Sequence, residues 1–575
     1  MKFQGEDLSR SKGEWSFEPQ GYKRAVFELI TSTIFINLLS LSLPIMTLQV
    51  YDRILPSPGS GTLPVLITGV CLAIFLEAAL RLSRSYTLGI SGAKYEHLCA
   101  CNAMSHILNA KLSKVGNYGV GEYLHRISSV NKLKEFYNGY ALTVYLELGF
   151  IVLYAGLIVY ISGILAVVPA FILAAFLINA VYQGRKLKRV LKSREGADDQ
   201  RYNALIEILE GVHTIKALAL ENVFARKYET LESASSLENY RVTMETARTF
   251  NAAAVFSHLM VISVISFGAV QVMNGMLSTG GLIAVLLLSG RMMQPVQRGL
   301  GLWARYQDFV IAKDHVKTIF TTPQIKTPDN GMENNIYADG HLKAQNLCFT
   351  FDGANESILQ DVDLEIKAGE SVLITGAHGS GKTTLLKMLA GLYAPDQGDV
   401  VLNGLALKEY PLHKRPDYIG YIGTDSLIFR GTIRDNITSF GRVPEAQAQA
   451  VATMFQLEKD ISRLSAGFDT LLSGTDTDGI SPGLKQRISM VRALSAKPRF
   501  ILFDNADRAL DKHGYDLVFK ILAQLKGRAS MVLVSSDKNI QSLADRSFFI
   551  QSAKLHEIQN MNTQTGPNLY KELPL

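Results

Sequence analysis

The chain has 575 residues, 47% of them hydrophobic and 19% charged, with a formal net charge of +6. That length leaves room for about three or four domains, and a mean hydropathy of +0.13 excludes a disordered polyelectrolyte, which could not bury enough apolar surface to fold. The four cysteines, Cys71, Cys99, Cys101 and Cys348, imply neither a disulfide framework nor a metal site, and the Cys99/Cys101 pair reads as small buried thiols.

In chain order, residues 1–24 form a polar segment with Lys2, Arg10, Lys12, Lys23 and Arg24. The apolar stretch behind it is too long for a signal h-region, so no cleavable signal is expected. No charged residue occurs between Glu28 and Asp52, from 54 to 76, from 148 to 184, or from 249 to 290. A membrane-crossing helix needs about 20 apolar residues. The first two stretches therefore predict one span each and the last two predict two each. Turn residues divide the long ones: Ser162-Gly163 in one, and Asn274-Gly275 with Gly280-Gly281 in the other. Core helices of a soluble protein seldom reach these lengths. The expectation is a six-span transmembrane domain over residues 25–320.

The basic residues orient it. The short connections between spans of a pair are nearly free of Lys and Arg, with Arg53 the exception, whereas residues 81–134 and the run Arg185-Lys186, Lys188-Arg189, Lys192, Arg194 are strongly basic. The positive-inside rule then puts both termini and both long loops in the cytoplasm. The net positive charge is accounted for by this topology and calls for no nucleic-acid partner. The long loops carry apolar residues at three- and four-residue spacing, as in EYLHRISSVNKLKEFY, so the spans should continue as helices beyond the bilayer. Glu147, at the edge of a span, has two readings: a pathway residue, since charge inside a membrane is costly, or a carboxylate at the interface.

Residues 321–340, with two prolines and two glycines, read as a linker. Short β-branched stretches then alternate with helical patterns, predicting an α/β domain over 341–560 and a tail over 561–575. Within it, Gly376, Ala377, His378, Gly379, Ser380, Gly381, Lys382 and Thr383 fit the phosphate-loop pattern G-x-x-x-x-G-K-[ST]. A strand over 371–375 precedes the loop and a helix from Thr384 follows it. Glycines let backbone N–H groups turn toward phosphate oxygens, and the helix N-terminus adds its positive dipole end. Lys382 adds a mobile cation, and the Thr383 hydroxyl suits Mg²⁺.

Other segments keep the order of an ATP-binding cassette: FTFDGANESILQDVDLEIKAGE before the loop, GISPGLKQRISMVRAL after it, then a strand ending in Asp504, then RALD. The chain resembles an ABC exporter half. NLLSLSLPIMTLQVYDRILP, GVHTIKALALE and LSGRMMQPVQRGLGLWARYQ resemble the ATPase-permease subunits of bacterial type I secretion systems, over about residues 25–555. Some members carry a peptidase-like domain before the first span, for which residues 1–24 leave no room. The resemblance implies an all-α membrane domain of the type I ABC exporter fold followed by an α/β P-loop nucleotide-binding domain. It further implies ATP and Mg²⁺ as cofactors, and the bacterial inner membrane as location. The implied partners are a second ABC half, a periplasmic adaptor, an outer-membrane channel, an exported protein or peptide, and membrane lipid.

By the same resemblance Phe351 stacks on adenine, the alternative being a core phenylalanine. Lys382, Thr383 and Asp504 hold Mg-ATP, and Ser481 and Gly483 present the signature motif. Four positions depart from the family. Thr424 stands where a glutamine senses the metal and the attacking water, Asn505 where a carboxylate acts as base, and Ser536 where a histidine is expected. The signature reads Ile480-Ser481-Pro482-Gly483-Leu484, in which Ser481 can still cap a helix because proline is favoured directly after a cap. General acid–base help contributes about a hundred- to ten-thousandfold, roughly 3 to 5 kcal/mol of barrier. Such a chain should bind ATP, hydrolyse it poorly, and pair with an intact half. The alternatives are a homodimeric ATP-binding membrane protein that gates without turnover, and an exporter of peptide or lipid.

Overall fold

The computed structural model describes residues 22–56, 61–115, 120–137, 139–325, 340–424, 426–474 and 479–558. Most of the expected N-terminal segment 1–24 and linker 321–340, and all of the tail 561–575, lie outside these residues. The chain divides into two compact units, one of residues up to 109 with 117–323, the other of 110–116 with 324 onward.

The first unit is helical. Its long helices are Tyr22–Leu39, Thr62–Leu108, Tyr140–Ser162, Val167–Glu210, Glu221–Met273 and Thr279–Thr321. Among the described residues, four runs are long and apolar enough to cross a membrane: Lys23–Ile54, Thr62–Leu108, Tyr140–Glu210 and Glu221–Met273. The third contains a tight turn at Gly163–Ala166, which divides the hairpin where Ser162-Gly163 predicted it. The second break falls at Asn274-Gly275, just past Met273. Gly280 and Gly281 are not part of that turn, contrary to expectation. They lie in the first turn of Thr279–Thr321, where Ser278 caps the helix by accepting from the Gly281 N–H, and the Gly280 N–H donates to Asp52 at 2.9 Å. A residue with a side chain at 280 would collide with that carboxylate, so the glycine serves a close approach between distant segments.

One further expectation changes. Cys99 is buried as predicted, but Cys101 is exposed. Two positions apart on a helix, the two side chains cannot share a face. Glu147, left with two readings by the sequence, is buried between helices, only 3% of it accessible. It accepts from Arg84 at 3.2 Å and from Arg298, joining three helices through one buried charge. Tyr154, Phe176, Met260, Val264 and Val285 belong to one apolar cluster of the unit.

The second unit has two main sheets. Leu359–Ile366, Leu342–Phe349, Gln397–Leu402 and Leu405–Ala406 make an antiparallel sheet in that order. The larger sheet runs Lys554–Ile558, Arg546–Gln551, Ser371–Gly376, Ser530–Val534, Phe500–Asp504 and Ile419–Ile422. All its neighbours are parallel except the edge hairpin Arg546–Gln551 with Lys554–Ile558. Central parallel strands are buried on both faces and so read as unbroken apolar runs; Phe500 to Phe503 and Met531 to Val534 are all inaccessible to solvent or nearly so. In such a sheet the loops after the carboxyl ends of the strands form the binding crevice. Here those loops carry Ala377–Gly381, Ser535–Ser536, Asn505–Asp507 and Gly423–Thr424.

Candidate functional site: the nucleotide pocket

Ser371–Gly376 ends in the loop and the helix Lys382–Leu389 begins directly after it. The expected start at Thr384 is thus two residues late. Two glycines are forced. Gly376 has φ +151°, and a Cβ there would lie 2.7 Å from Ser380 Oγ and 2.9 Å from the Ile550 carbonyl. Gly381 has φ +97°, with the Ile358 carbonyl 3.2 Å from its would-be Cβ; this is a left-handed backbone that glycine adopts without steric cost. His378 and Gly379 are exposed at the tip, where nothing lies within 4 Å of a Cβ built on Gly379. The loop is an open cradle, so its amides and the helix N-terminus fit a nucleotide's phosphates.

Lys382 folds over this loop. Its Nζ donates to the carbonyls of Gly376 at 2.9 Å and Ala377 at 2.7 Å, with Ser380 Oγ at 3.4 Å. Burial lowers its proton affinity, Asp504 opposes that, and the Arg508 charge adds to it. Thr383 is exposed on the first turn, whereas Thr384 is buried and faces the interior. Phe351 is 39% accessible, not a core residue. It meets Phe349 and Tyr393 edge-on at 5.1 and 6.1 Å between ring centroids, leaving an aromatic surface suited to a base.

Asp504, ending its strand, is 2% accessible. Its Oδ1 accepts from Asn505 Nδ2 at 3.1 Å and its Oδ2 from the Tyr421 hydroxyl at 3.2 Å. Asn505 sits at φ 49°, a left-handed conformation in which asparagine is enriched, and its own N–H donates to the Val534 carbonyl. Asp504 and Thr383 carry suitable oxygens for Mg²⁺, though both Asp504 oxygens already accept hydrogen bonds. Thr424 and Ser536 are exposed. Asp507 turns to Ser535 Oγ at 2.9 Å.

Ser481 caps the helix Pro482–Ser495, its hydroxyl accepting from the Leu484 N–H at 3.2 Å, with Pro482 in the first turn. Gly483 lies against the loop before Asp511, 3.6 Å from the Ala509 carbonyl to its would-be Cβ. Further along, Gln486 Nε2 donates to the Gly423 carbonyl at 3.0 Å, fixing the strand end that precedes Thr424. Sequence reasoning missed Tyr421, Arg508 and Gln486. Arg508 was visible inside RALD; Tyr421 and Gln486 carry no local signal, because their partners lie on other elements.

Residues 26–296 match the family profile of the ABC transporter transmembrane region, and 359–508 that of the ABC transporter. The chain belongs to the ABC transporters. Its curated relatives include the exotoxin translocation ATP-binding protein PaxB of Pasteurella aerogenes, 28% identical over 551 residues, or 93% of this chain and 75% of that one. The alpha-hemolysin translocation ATP-binding protein HlyB of Escherichia coli O157:H7 is 26% identical over 93% of this chain and 76% of its own. The leukotoxin translocation ATP-binding protein LktB of Mannheimia haemolytica is 27% identical over 94% and 77%. Among solved structures, a bacterial Atm1-family ABC exporter with ATP bound superposes with a TM-score of 0.79 over 94% of this chain and 95% of that one, at 19% identity. This ABC transporter is therefore an integral membrane ATP-binding permease with the exporter fold, homologous to type I secretion translocators.

Proposed function

We propose that this chain is the hydrolysis-poor subunit of an ATP-driven exporter of proteins, working in type I secretion across the bacterial inner membrane beside a second, catalytically intact ABC half. The relatives' names, which speak of toxin translocation, support the protein cargo. The observation that carries the asymmetry is the Asp504–Asn505 pair. The side chain after the metal-site carboxylate is an amide that cannot accept a proton at neutral pH, and its N–H is already committed to Asp504. Ser536 and Thr424, both exposed, offer no imidazole or carboxamide to compensate.

On this reading Phe351 stacks on the base, while the amides of Gly376, Ala377, His378, Gly379, Ser380 and Gly381 surround the phosphates with Lys382, Thr383 and Thr384. Thr383 and Asp504 would hold Mg²⁺, which when bound neutralises phosphate charge. Ser481 and Gly483, at a capped helix N-terminus, would face the nucleotide held by the partner half, where the dipole favours an anion. The membrane domain counts both arms of the hairpin Tyr140–Glu210 and adds Thr279–Thr321, for six spans with both termini cytoplasmic. A periplasmic adaptor and an outer-membrane channel complete the assembly.

Purification of the tagged chain from its native membrane in mild detergent, with mass identification of what accompanies it, tests this. The expected result is a stoichiometric second ABC half with Glu and His at the positions of Asn505 and Ser536. A clean homodimer, or ordinary exporter turnover by this chain alone, overturns it. The homodimer would favour a gate that uses ATP as a ligand.

A further inference from the structure

We infer that this site binds nucleotide without requiring Mg²⁺, because Asp504, the carboxylate that a magnesium ion would recruit, is satisfied on both oxygens by Asn505 and Tyr421. The inference rests on the assignment of the 376–383 loop as a nucleotide site and deepens it. A buried carboxylate is costly unless paired or hydrogen-bonded, and in a metal-dependent site the ion supplies much of that compensation. Here the Asn505 amide donates at 3.1 Å and the Tyr421 hydroxyl at 3.2 Å, one to each oxygen. A glutamate at 505 could not replace the Asn505 bond: its side chain has no N–H and would add a second negative charge beside the first.

The charge balance around the phosphates points the same way. Magnesium sites that handle nucleotides use one or two carboxylates together with the phosphates. With an amide at 505, only Asp504 remains at the strand end. The next carboxylate in the loop, Asp507, accepts from Ser535 through Oδ2, and its Oδ1 is buried with no partner among the described residues. Against that single carboxylate stand two cations, Lys382 at the cradle and Arg508 in the loop after Asn505. Arg508 itself is exposed and free to swing to a phosphate as a fork donor. Thr424, short and exposed, replaces the long carboxamide through which the family senses the metal. The substitutions at 424 and 505 and the arginine at 508 thus shift charge compensation from a divalent ion to the protein.

The full-length chain in detergent is titrated with the fluorescent nucleotide MANT-ATP, once with Mg²⁺ and once with EDTA. The dissociation constants are expected to agree within about threefold, and Tyr421→Phe and Arg508→Ala should each weaken binding in EDTA about tenfold while moving the Mg²⁺ value less. Arg508 is exposed and Tyr421→Phe keeps the ring, so neither change threatens folding. A loss of more than about thirtyfold in EDTA for the unaltered chain, or indifference of the EDTA constant to both variants, overturns the inference. Phosphate release measured on the same sample separates the two readings. Fast turnover with EDTA-resistant binding removes the hydrolysis-poor assignment and leaves this inference standing. Slow turnover with EDTA-sensitive binding does the reverse.

Discussion

The Asn505 amide donates to the Asp504 carboxylate across 3.1 Å, from a backbone held at φ 49°. Two consecutive residues thus make a self-contained unit at the strand end: the carboxylate is pinned, and its neighbour is an amide rather than a base. Left-handed backbone suits asparagine better than a longer side chain, so conformation and chemistry favour the same residue. Asn505→Glu alone should raise phosphate release by less than about a hundredfold, the lower end of what a positioned base contributes, because Ser536 and Thr424 bring no imidazole or carboxamide. Adding Ser536→His and Thr424→Gln should carry the gain beyond that bound. Equal turnover in the unaltered chain and the triple variant would show that the base was never missing.

The cradle depends on glycine at 381. Gly381→Ala puts a Cβ 3.2 Å from the Ile358 carbonyl at a φ of +97°, a conformation costing a non-glycine residue about 1 kcal/mol or more. Photolabelling with azido-ATP should fall at least about tenfold, since misplacing the loop amides by that cost or slightly more is a tenfold effect in an equilibrium constant. Unchanged labelling would mean the phosphates sit elsewhere.

Ser481 is a helix cap first, whatever it does toward a partner. Ser481→Ala removes the acceptor for the Leu484 N–H and should cost about 1 kcal/mol, read as an earlier unfolding midpoint of the nucleotide-binding unit. Ser481→Asp restores the cap but sets a negative charge where a phosphate is expected. It should recover stability and still depress turnover of the assembled exporter. Recovery of both would confine Ser481 to capping.

Glu147 neutralises two arginines on two other helices. Removing one partner from a buried pair leaves an uncompensated charge, at about 3–5 kcal/mol. Glu147→Ala should therefore lower thermal stability in detergent sharply. Arg298→Ala should cost less, because Arg84 remains and the Arg298 side chain is 35% accessible. Tolerance of Glu147→Ala with loss of transport would instead favour the pathway reading.

Asp537 sets part of the acid response. The Tyr515 hydroxyl donates to it, as do the N–H groups of Ile540 and Asn539, and they hold its carboxyl below the ordinary range against the opposing effect of burial. A depressed folded value means the stabilisation is present above the unfolded value of about 3.9 and is lost as pH falls through the folded one. Thermal stability should drop on acidification from about pH 4 downward, and Tyr515→Phe should make that drop shallower. An identical acid limb in the variant would remove the hydrogen bond from the account.

Features that depend on spacing along one segment were legible in the residues alone. Uncharged stretches marked the apolar helices, because a bilayer-length helix tolerates few charges. The run from Gly376 to Thr383 marked the phosphate cradle, and the break at Ser162-Gly163 marked a hairpin. Position relative to Asp504 placed an amide, Asn505, where the resemblance leads one to expect a carboxylate. The tertiary structure alone decided the pairings between remote segments: Glu147 with Arg84 and Arg298, 63 and 151 residues away, and Tyr421 with Asp504, 83 residues apart. It also moved Gly280 from a turn into a helix held by Asp52, and set Cys101 outside while Cys99 went in. Backbone propensity and hydropathy act within a few residues, whereas a buried charge or hydroxyl is satisfied by whichever distant side chain the packing of helices and the order of strands bring within about 3 Å.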